Sequence, residues 1–294
     1  MTYSRLNHLE RTVDSLLRSN NSEKSILYVL LDGPKKGDEI AVEKVKKYVT
    51  AIKGFKDIIL FERSVNGRVE SYIEGVGKIL EEHGCMIFLE DDNVVAPSFI
   101  DIMNDALRYF ENDMSILAIN GYNIPIKNTK KCQNNYYLSY YFNAWGFATW
   151  KNRMHLEIEM VRDGYLEVIS NNKLKKKVEM IHPGLISGLK MIYDQKLIAG
   201  DYNLTFHSIK NDVYSVRPVI SLVDNIGHDG SGLHCSKKHF KRNDLDTSPT
   251  YIDFKYNVKY DKKMDSLYYS YFRGKKKKLK AIRNAIKKMV NKNV

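Results

Sequence analysis

The stretch MIFLEDDNVVAPSF, residues 86–99, decides the fold class. An apolar run is followed at once by Glu90, Asp91 and Asp92, and Pro97 stands where a helix can begin. Like charges that are crowded together repel one another, and a turn that needed only solubility could use Asn, Ser or Gly at lower cost. The stretch therefore predicts a buried strand whose end holds acidic groups around a cation.

Helical and strand patterns alternate on both sides of this stretch. The apolar spacing of helices is found in RLNHLERTVDSLLRS, EIAVEKVKKYVTAIKG, SYIEGVGKILEEHG and FIDIMNDALRYF, and it alternates with the strand patterns SILYVLLDGP, DIILFE, CMIFLEDD and SILAING. This order predicts an α/β fold with a mostly parallel central sheet and helices on both faces. Since ligands bind at the carboxyl ends of parallel strands, Asp32 and the three acidic residues are expected at one edge of the sheet.

The second half of the chain carries weaker patterns. Residues 122–150 are rich in Tyr and Trp, and periodicity alone does not assign them. Helical spacing returns over 166–192, and PVISLV at 218–223 predicts one more strand. A length of 294 residues with 43% hydrophobic content suits one large α/β domain, alone or with an extension.

The positive charge is concentrated at the end of the chain. Residues 273–294 hold ten Lys or Arg and no Asp or Glu, so subtracting these ten from the formal charge of +12 leaves about +2 for the rest. Nucleic-acid-binding domains usually spread positive charge over a folded face. The body of this protein is therefore not expected to bind nucleic acid.

Cysteine usage and hydropathy indicate the compartment. Cys85, Cys132 and Cys235 lack CxxC spacing, which argues against a disulfide framework or a zinc site and fits a reducing cytosol. The sequence has no run of about 18 apolar residues and no recognisable signal peptide. We expect a protein that neither spans a membrane nor is secreted by that route.

The acidic cluster itself predicts a metal site. Oxygen ligands suit Mg²⁺ or Mn²⁺, which commonly binds one or two carboxylates and takes its other ligands from phosphate and water. A solvated acidic turn is the alternative. The position behind a buried strand favours a metal-bound diphosphate.

FLEDDNVVAPSF resembles the metal-binding segment of glycosyltransferases of the A fold, in the branch similar to N-acetylglucosaminyltransferase I and the family 2 nucleotide-sugar transferases. Further segments that occur in the family's order are TYSRLNHLERTVDSLL, LYVLLDGP, GRVESYIEGVGKILEEHGCMIFLEDD, YFNAWGFATW and SLVDNIGHDGSGLH. The resemblance implies a single Rossmann-like catalytic domain over 1–240, an extension over 241–274 and a basic tail over 275–294. One departure is that Met1 falls within the family's first strand, which is therefore short or missing.

The resemblance also implies a role for each matching residue. Asp92 would bind Mn²⁺ or Mg²⁺, while Glu90 and Asp91 would contact the donor sugar and ribose. Asp32 would accept a hydrogen bond from uracil, and Thr2, Tyr3 and Arg5 would flank this base. Arg68 would reach a phosphate, Trp145 would contact the donor or the acceptor, and His234 would reach the diphosphate or the metal. Ordinary alternatives are strand-end or helix-start polarity for Thr2, Tyr3 and Arg68, a loop position for His234, and core packing for Trp145 and Trp150.

Family members of this type invert the anomeric centre and need a carboxylate base on the acceptor side. The segment AGDYNLTFHSIKNDVYSVRP aligns with the family's W-D-Y or W-D-D segment and places this base at Asp201. Gly200 stands where the family usually has tryptophan. The alternative for Asp201 is a helix N-cap.

The basic tail has the pattern of an amphipathic helix. Its apolar residues recur at spacings of three and four opposite lysines and arginines, namely Leu279, Ile282, Ile286 and Met289. Such a helix suits an anionic membrane surface. A disordered solubilising tail and a calmodulin-like target are the alternatives.

Together these patterns predict a metal-dependent inverting hexosyl- or N-acetylhexosaminyltransferase of polysaccharide biosynthesis. It would move sugar from a nucleotide donor, UDP in our interpretation, to a hydroxyl of a glycan or lipid-linked glycan at the cytoplasmic face of a membrane. A nucleotidyltransferase on the same fold is an alternative, although the basic phosphate-binding loop expected there is missing. A noncatalytic membrane- or polyanion-binding protein is another, but it gives no reason for residues 90–92.

Overall fold

The computed structural model describes residues 1–125, 135–154, 162–231, 242–255, 258–260 and 262–271. The helices are Leu6–Leu17 (α1), Glu39–Ala51 (α2), Arg68–His83 (α3), Phe99–Tyr109 (α4), Gly164–Ser170 (α5), Asn172–Ile181 (α6), Leu185–Tyr193 (α7), Gly200–Asn211 (α8) and 262–271 (α9). The strands are Ile26–Leu31 (β1), Asp57–Glu62 (β2), Cys85–Phe88 (β3), Asn93–Val95 (β4), Ile116–Asn120 (β5), Tyr136–Ser139 (β6), Phe147–Trp150 (β7), Tyr214–Pro218 (β8) and Val223–Asn225 (β9).

The described strands form three sheets. Strands β1 and β2 pair in parallel, β4 and β9 pair antiparallel, and a five-stranded sheet has the order β3-β7-β5-β8-β6. Within that five-stranded sheet β5 and β8 are parallel, while the β3–β7, β5–β7 and β6–β8 pairs are antiparallel. The prediction of a mostly parallel central sheet is therefore wrong, and the sheet is mixed. The two strands of the aromatic region cause this, since β7 runs antiparallel to both of its neighbours and β6 runs antiparallel to β8.

The first two residues connect the β1–β2 pair to the end of β3. Thr2 forms a parallel bridge to Leu31, with its N–H donating to the carbonyl of Leu30 at 2.9 Å. The backbone nitrogen of Met1 donates to the carbonyl of Leu89 at 2.9 Å. The short first strand expected from the sequence is thus present as a bridge between two sheets.

Helix α3 covers both sides of this junction. Gly75 lies against β1 so closely that a Cβ atom there would stand 2.4 Å from Cδ2 of Leu30. Leu30 from β1, Val76 from α3, and Met86 and Phe88 from β3 belong to one buried cluster. The carboxyl ends of β1 and β3 are therefore held beside one another by a shared core.

Most helices and strands predicted up to β5 are confirmed, but the later half differs. The predicted helical region 166–192 contains three helices, and the side chain of Asn171 caps α6 by accepting from the Leu174 N–H. The strand predicted at 218–223 is wrong. Strand β8 ends at Pro218, which has no N–H for the ladder, and the chain turns before β9 begins at Val223.

Helix α9 packs on the edge strand β6. The carboxylate of Asp265 accepts from the Ser139 hydroxyl at 2.6 Å and from the Tyr140 N–H at 3.1 Å. The ring of Tyr268 lies 5.0 Å from the guanidinium of Arg217. Among the described residues, no helix is long and apolar enough to cross a membrane.

Arg217, on β8, is fully buried beneath α9. Its Nη1 donates to the Tyr122 carbonyl at 2.7 Å, and its Nη2 donates to the Tyr141 carbonyl at 2.7 Å and to Asn120 Oδ1 at 3.1 Å. Because these acceptors come from the end of β5 and from the chain after β6, the guanidinium ties both segments to β8.

Replacing Arg217 by Met should destabilise the fold by about 3 kcal/mol or more, because three buried acceptors would lose their donors. Urea unfolding of the purified variant measures this change. Arg108→Met is the matched control: Arg108 is an exposed residue on α4, and its loss should shift the free energy of unfolding by no more than about 0.5 kcal/mol. Equal stability of the two variants would contradict the assigned role.

Candidate functional site

Glu90, Asp91 and Asp92 lie in the turn between β3 and β4. Asp91 and Asp92 are each only 5% exposed, so they are not a solvated acidic turn. Strand β4 pairs antiparallel with β9 in a register that sets Asn93 opposite Asn225. The cluster is therefore built into the junction between β3 and a two-stranded ribbon.

The two asparagines fix one oxygen of Asp92. Asp92 Oδ1 accepts from the Asn93 amide at 2.9 Å and from the Asn225 amide at 3.1 Å. The amide oxygen of Asn93 accepts from the Glu90 N–H at 3.1 Å, and that of Asn225 accepts from the Gly227 N–H at 2.9 Å. Turning either amide over would break two hydrogen bonds, so the carboxylate of Asp92 is held in one orientation.

The chain after β9 passes directly against this carboxylate. The Ile226 N–H donates to the Asp92 carbonyl at 2.8 Å. A Cβ atom on Gly227 would lie 2.1 Å from Asp92 Oδ2, which no side chain could tolerate without displacing the carboxylate. Glycine is required at 227 because the backbone comes this close.

Arg5 is the cation that faces the acidic pair. It forms ion pairs with Asp91 and, through Nη2 at 2.8 Å, with Asp92 Oδ2. Thr2 donates to Asp91 Oδ2 at 3.3 Å, and Thr12 donates to the Asp91 carbonyl at 2.8 Å. The buried Nη1 of Arg5 has no hydrogen-bond partner in the described part of the chain.

Burial changes the protonation of the cluster. It raises the pKa of Glu90 to about 7, with the nearby charge of Asp92 adding to the effect and Arg68 opposing it. It also raises the pKa of Asp92, against the opposing influence of Arg5. The influence of Arg68 places this residue near Glu90, at the start of α3.

Asp32 organises the loop that leads to Arg68. Its Oδ1 accepts from the N–H groups of Gly33 and Gly67 at 2.9 Å each, and its Oδ2 accepts from the Asn66 amide at 3.0 Å. Thr2 bonds the backbone of Asp32 and the side chain of Asp91. Thr2 thus brings Asp32 close to the acidic cluster as expected, although β1 and β3 lie in separate sheets rather than at one edge of the same sheet.

Tyr3 points away from the acidic cluster. Its hydroxyl donates to Asp38 Oδ2 at 2.7 Å and accepts from the Lys35 N–H at 2.8 Å. The hydroxyl of Tyr3 therefore ties the loop between β1 and α2 to the segment before α1.

Trp145 lies half-buried next to the end of β3. Its ring makes edge contacts with Tyr122 at 4.7 Å and with His228 at 5.2 Å between centroids. The following Gly146 adopts φ of +67° and packs so closely that a Cβ atom would stand 3.2 Å from Leu89. Trp150, by contrast, is buried in β7 beneath the guanidinium of Arg153.

Asp201 lies in the first turn of α8, where Ala199 rather than Asp201 is the N-cap. Burial raises the pKa of Tyr268, and Asp201 adds to this effect. Burial likewise raises the pKa of Tyr122, with Tyr268 adding.

Several site residues gave no clear signal in the sequence. His8, in the first turn of α1, lies with its Nε2 3.1 Å from Asp229 Oδ2, a partner far along the chain. The roles of Asn93, Asn225 and Gly227 depend on the β4–β9 pairing, which is not visible in either segment alone. His234 and the tail 275–294 lie outside the described residues.

The acidic cluster offers few ligands to a metal ion. Within the described ranges no group of three His, Cys, Asp or Glu side chains could hold a metal ion. Asp92 Oδ1 is saturated by two amides, so Oδ2 is the oxygen of this carboxylate that faces a cation. Mg²⁺ and Mn²⁺ need few protein ligands when phosphates and water complete the coordination shell.

A family model described as glycosyl transferase family 2 matches residues 1–174. The match covers more than half of the 294 residues and contains β1, α3, β3, the acidic cluster and Trp145. The resemblance to family 2 transferases is thereby confirmed, while the narrower likeness to N-acetylglucosaminyltransferase I stays a prediction. A comparison with curated proteins found no match.

The raised pKa of Glu90 predicts a pH-dependent stability. Glutamate in the unfolded chain titrates near 4.5, so between pH 4.5 and about 7 the folded state binds more protons than the unfolded state. The free energy of unfolding should therefore fall by about 2 to 3 kcal/mol as the pH rises through this interval, and Glu90→Gln should lose this component.

Urea unfolding at several pH values, with EDTA present, measures the effect. Glu81→Gln, an exposed residue on the same helix as Arg68, is the control and should keep the wild-type pH dependence. A wild-type profile that Glu90→Gln leaves unchanged would contradict the assignment.

Proposed function

The chain belongs to glycosyl transferase family 2, and from this membership we propose that it is a metal-dependent inverting glycosyltransferase with a UDP-sugar donor. Membership implies a nucleotide-sugar donor and an acceptor. The observation that carries the finer proposal is the Asp92 carboxylate, which two cross-strand amides hold in one orientation at the carboxyl ends of β1 and β3. An ordinary surface turn does not require a carboxylate held by two buried amides.

The donor would lie along the edge formed by β1, residues 1–2 and β3. We propose that Asp32, Thr2 and Tyr3 shape the pocket for uracil and that Arg68 reaches a phosphate. Asp91 would meet the ribose and Glu90 the sugar.

Asp92 would hold Mn²⁺ or Mg²⁺ through Oδ2, with His234 proposed as a further ligand. The ion would supply positive charge to the diphosphate as it departs. The buried asparagine pair supports this assignment, because residues that orient a metal-ligating carboxylate are a regular part of metal sites.

Asp201 would act as the base on the acceptor side. The acceptor oxygen forms a bond to the anomeric carbon while the bond from that carbon to the diphosphate oxygen breaks. The hydroxyl proton passes to the Asp201 carboxylate and UDP leaves. Trp145 would stack on a sugar ring between the two reacting sides, as its half-buried position allows.

We further propose that the acceptor is a glycan or lipid-linked glycan and that the basic tail 275–294 binds an anionic membrane surface. This placement rests on the charge pattern of the sequence.

UDP binding should require a divalent cation. Asp92→Asn, or EDTA added to the wild type, should weaken UDP binding by at least about tenfold, because the diphosphate would lose its main counter-charge. Isothermal titration calorimetry measures this, with the exposed Asp105→Asn on α4 as the control that keeps wild-type affinity. Equal UDP affinity in the presence of EDTA would remove the metal from the proposal.

Asp201→Asn should lower sugar transfer by about 10²-fold or more while leaving UDP affinity unchanged, because a base acts only during attack. A structural role in the first turn of α8 would instead lower stability by less than about 1 kcal/mol and leave the rate intact. Transfer assays, calorimetry and melting temperatures separate these outcomes. Asp194→Asn, at the end of α7, is the control.

A chain that ends at residue 274 should keep its turnover of soluble substrates but no longer bind anionic vesicles at moderate salt. Co-sedimentation with vesicles measures this loss. Continued sedimentation of the shortened chain would show that the tail is not the anchor.

A further inference from the structure

We propose that Arg5 is a resident counter-ion that occupies the metal's position on Asp92 in the empty enzyme. The divalent cation then gains this position only together with a diphosphate that draws Arg5 away. This inference rests on the proposed function, since it presupposes that the acidic cluster binds a metal–diphosphate complex.

The geometry leaves one place for a cation on Asp92. Oδ1 already accepts one hydrogen bond each from the side-chain amides of Asn93 and Asn225. The oxygens of these amides accept from backbone N–H groups, so neither amide can turn over. Oδ2 is in contact with Nη2 of Arg5 at 2.8 Å, and Gly227 closes over the same oxygen. A metal ion on Oδ2 would therefore stand against the guanidinium.

Charge balance explains why Arg5 remains there without substrate. Asp91 and Asp92 are both buried, and two neighbouring carboxylates without a cation are strongly disfavoured. The guanidinium bonds both of them. A free metal ion would have to displace these contacts. The described side chains include no group of three metal ligands that would make up for their loss.

A diphosphate changes this balance. Nη1 of Arg5 is buried without a hydrogen-bond partner among the described residues, so the guanidinium already carries an unused donor at the site. Phosphate oxygens accept from arginine in paired hydrogen bonds that are stronger than those between neutral groups. The phosphate thus takes Arg5 while the accompanying metal takes Oδ2, so Asp92 and the diphosphate each keep a cation.

The experiment measures binding of Mn²⁺ by electron paramagnetic resonance, without substrate turnover. Wild type should bind Mn²⁺ weakly alone and at least about tenfold more tightly with UDP, whereas Arg5→Gln should bind Mn²⁺ alone about tenfold more tightly than wild type. Arg5→Lys keeps the positive charge and should exclude free Mn²⁺ as wild type does. Arg108→Gln, an exposed arginine on α4, should behave as wild type.

The outcomes separate this inference from the proposed function. If wild type binds no Mn²⁺ even with UDP, the metal-dependent function itself fails. If wild type binds Mn²⁺ with UDP but Arg5→Gln gains no affinity for free Mn²⁺, the counter-ion role alone is overturned. Should Arg5→Gln not fold, side-chain NMR of the wild type decides: adding Mg²⁺ together with UDP should shift the Nε–H signal of Arg5, and a signal that stays unchanged while UDP binds would overturn the inference.

Discussion

Two buried carboxylates that need a cation determine how the site is assembled. Asp91 and Asp92 follow a core strand directly, so their charges cannot be left to solvent. Arg5 supplies the positive charge from the segment before α1, and Thr2 and Thr12 bond Asp91 from the same part of the chain. The start of α1 therefore lies directly against the turn that holds the two carboxylates.

The same contacts join the sheets. Met1 and Thr2 lie between β1 and the end of β3, so the strands that carry Asp32 and Asp92 meet although they do not pair with one another. Strand β9 pairs with β4 rather than with the five-stranded sheet, and this pairing brings Asn225 to Asp92. The site is therefore enclosed by backbone from three distant parts of the chain.

Local signals were sufficient for the first half of the fold and for one edge of the site. Apolar periodicity predicted α1 to α4 and the strands among them, and the position of Asp32 and residues 90–92 at strand ends predicted their meeting. The antiparallel direction of β6 and β7 in the five-stranded sheet was not predictable. The aromatic pattern of 136–150 suits a parallel or an antiparallel strand equally, and the strands that pair with β6 and β7 lie far along the chain. The roles of Asn93, Asn225 and His8 were missed for the same reason, since each depends on a contact between separate segments.

The loop around Asp32 has a consequence for the chemical lifetime of the protein. Asn66 is followed by Gly67, the dipeptide most prone to deamidation, in which the glycine nitrogen attacks the asparagine side chain and expels its amide as ammonia. In the folded chain the Gly67 nitrogen donates to one oxygen of Asp32 and the Asn66 amide donates to the other, so the attacking and departing nitrogens are both held in place. Conversion of Asn66 to aspartate would place a second carboxylate against the buried carboxylate of Asp32. Folding therefore preserves a covalent bond that the unfolded chain would lose with age, and the same carboxylate that shapes the loop also protects it.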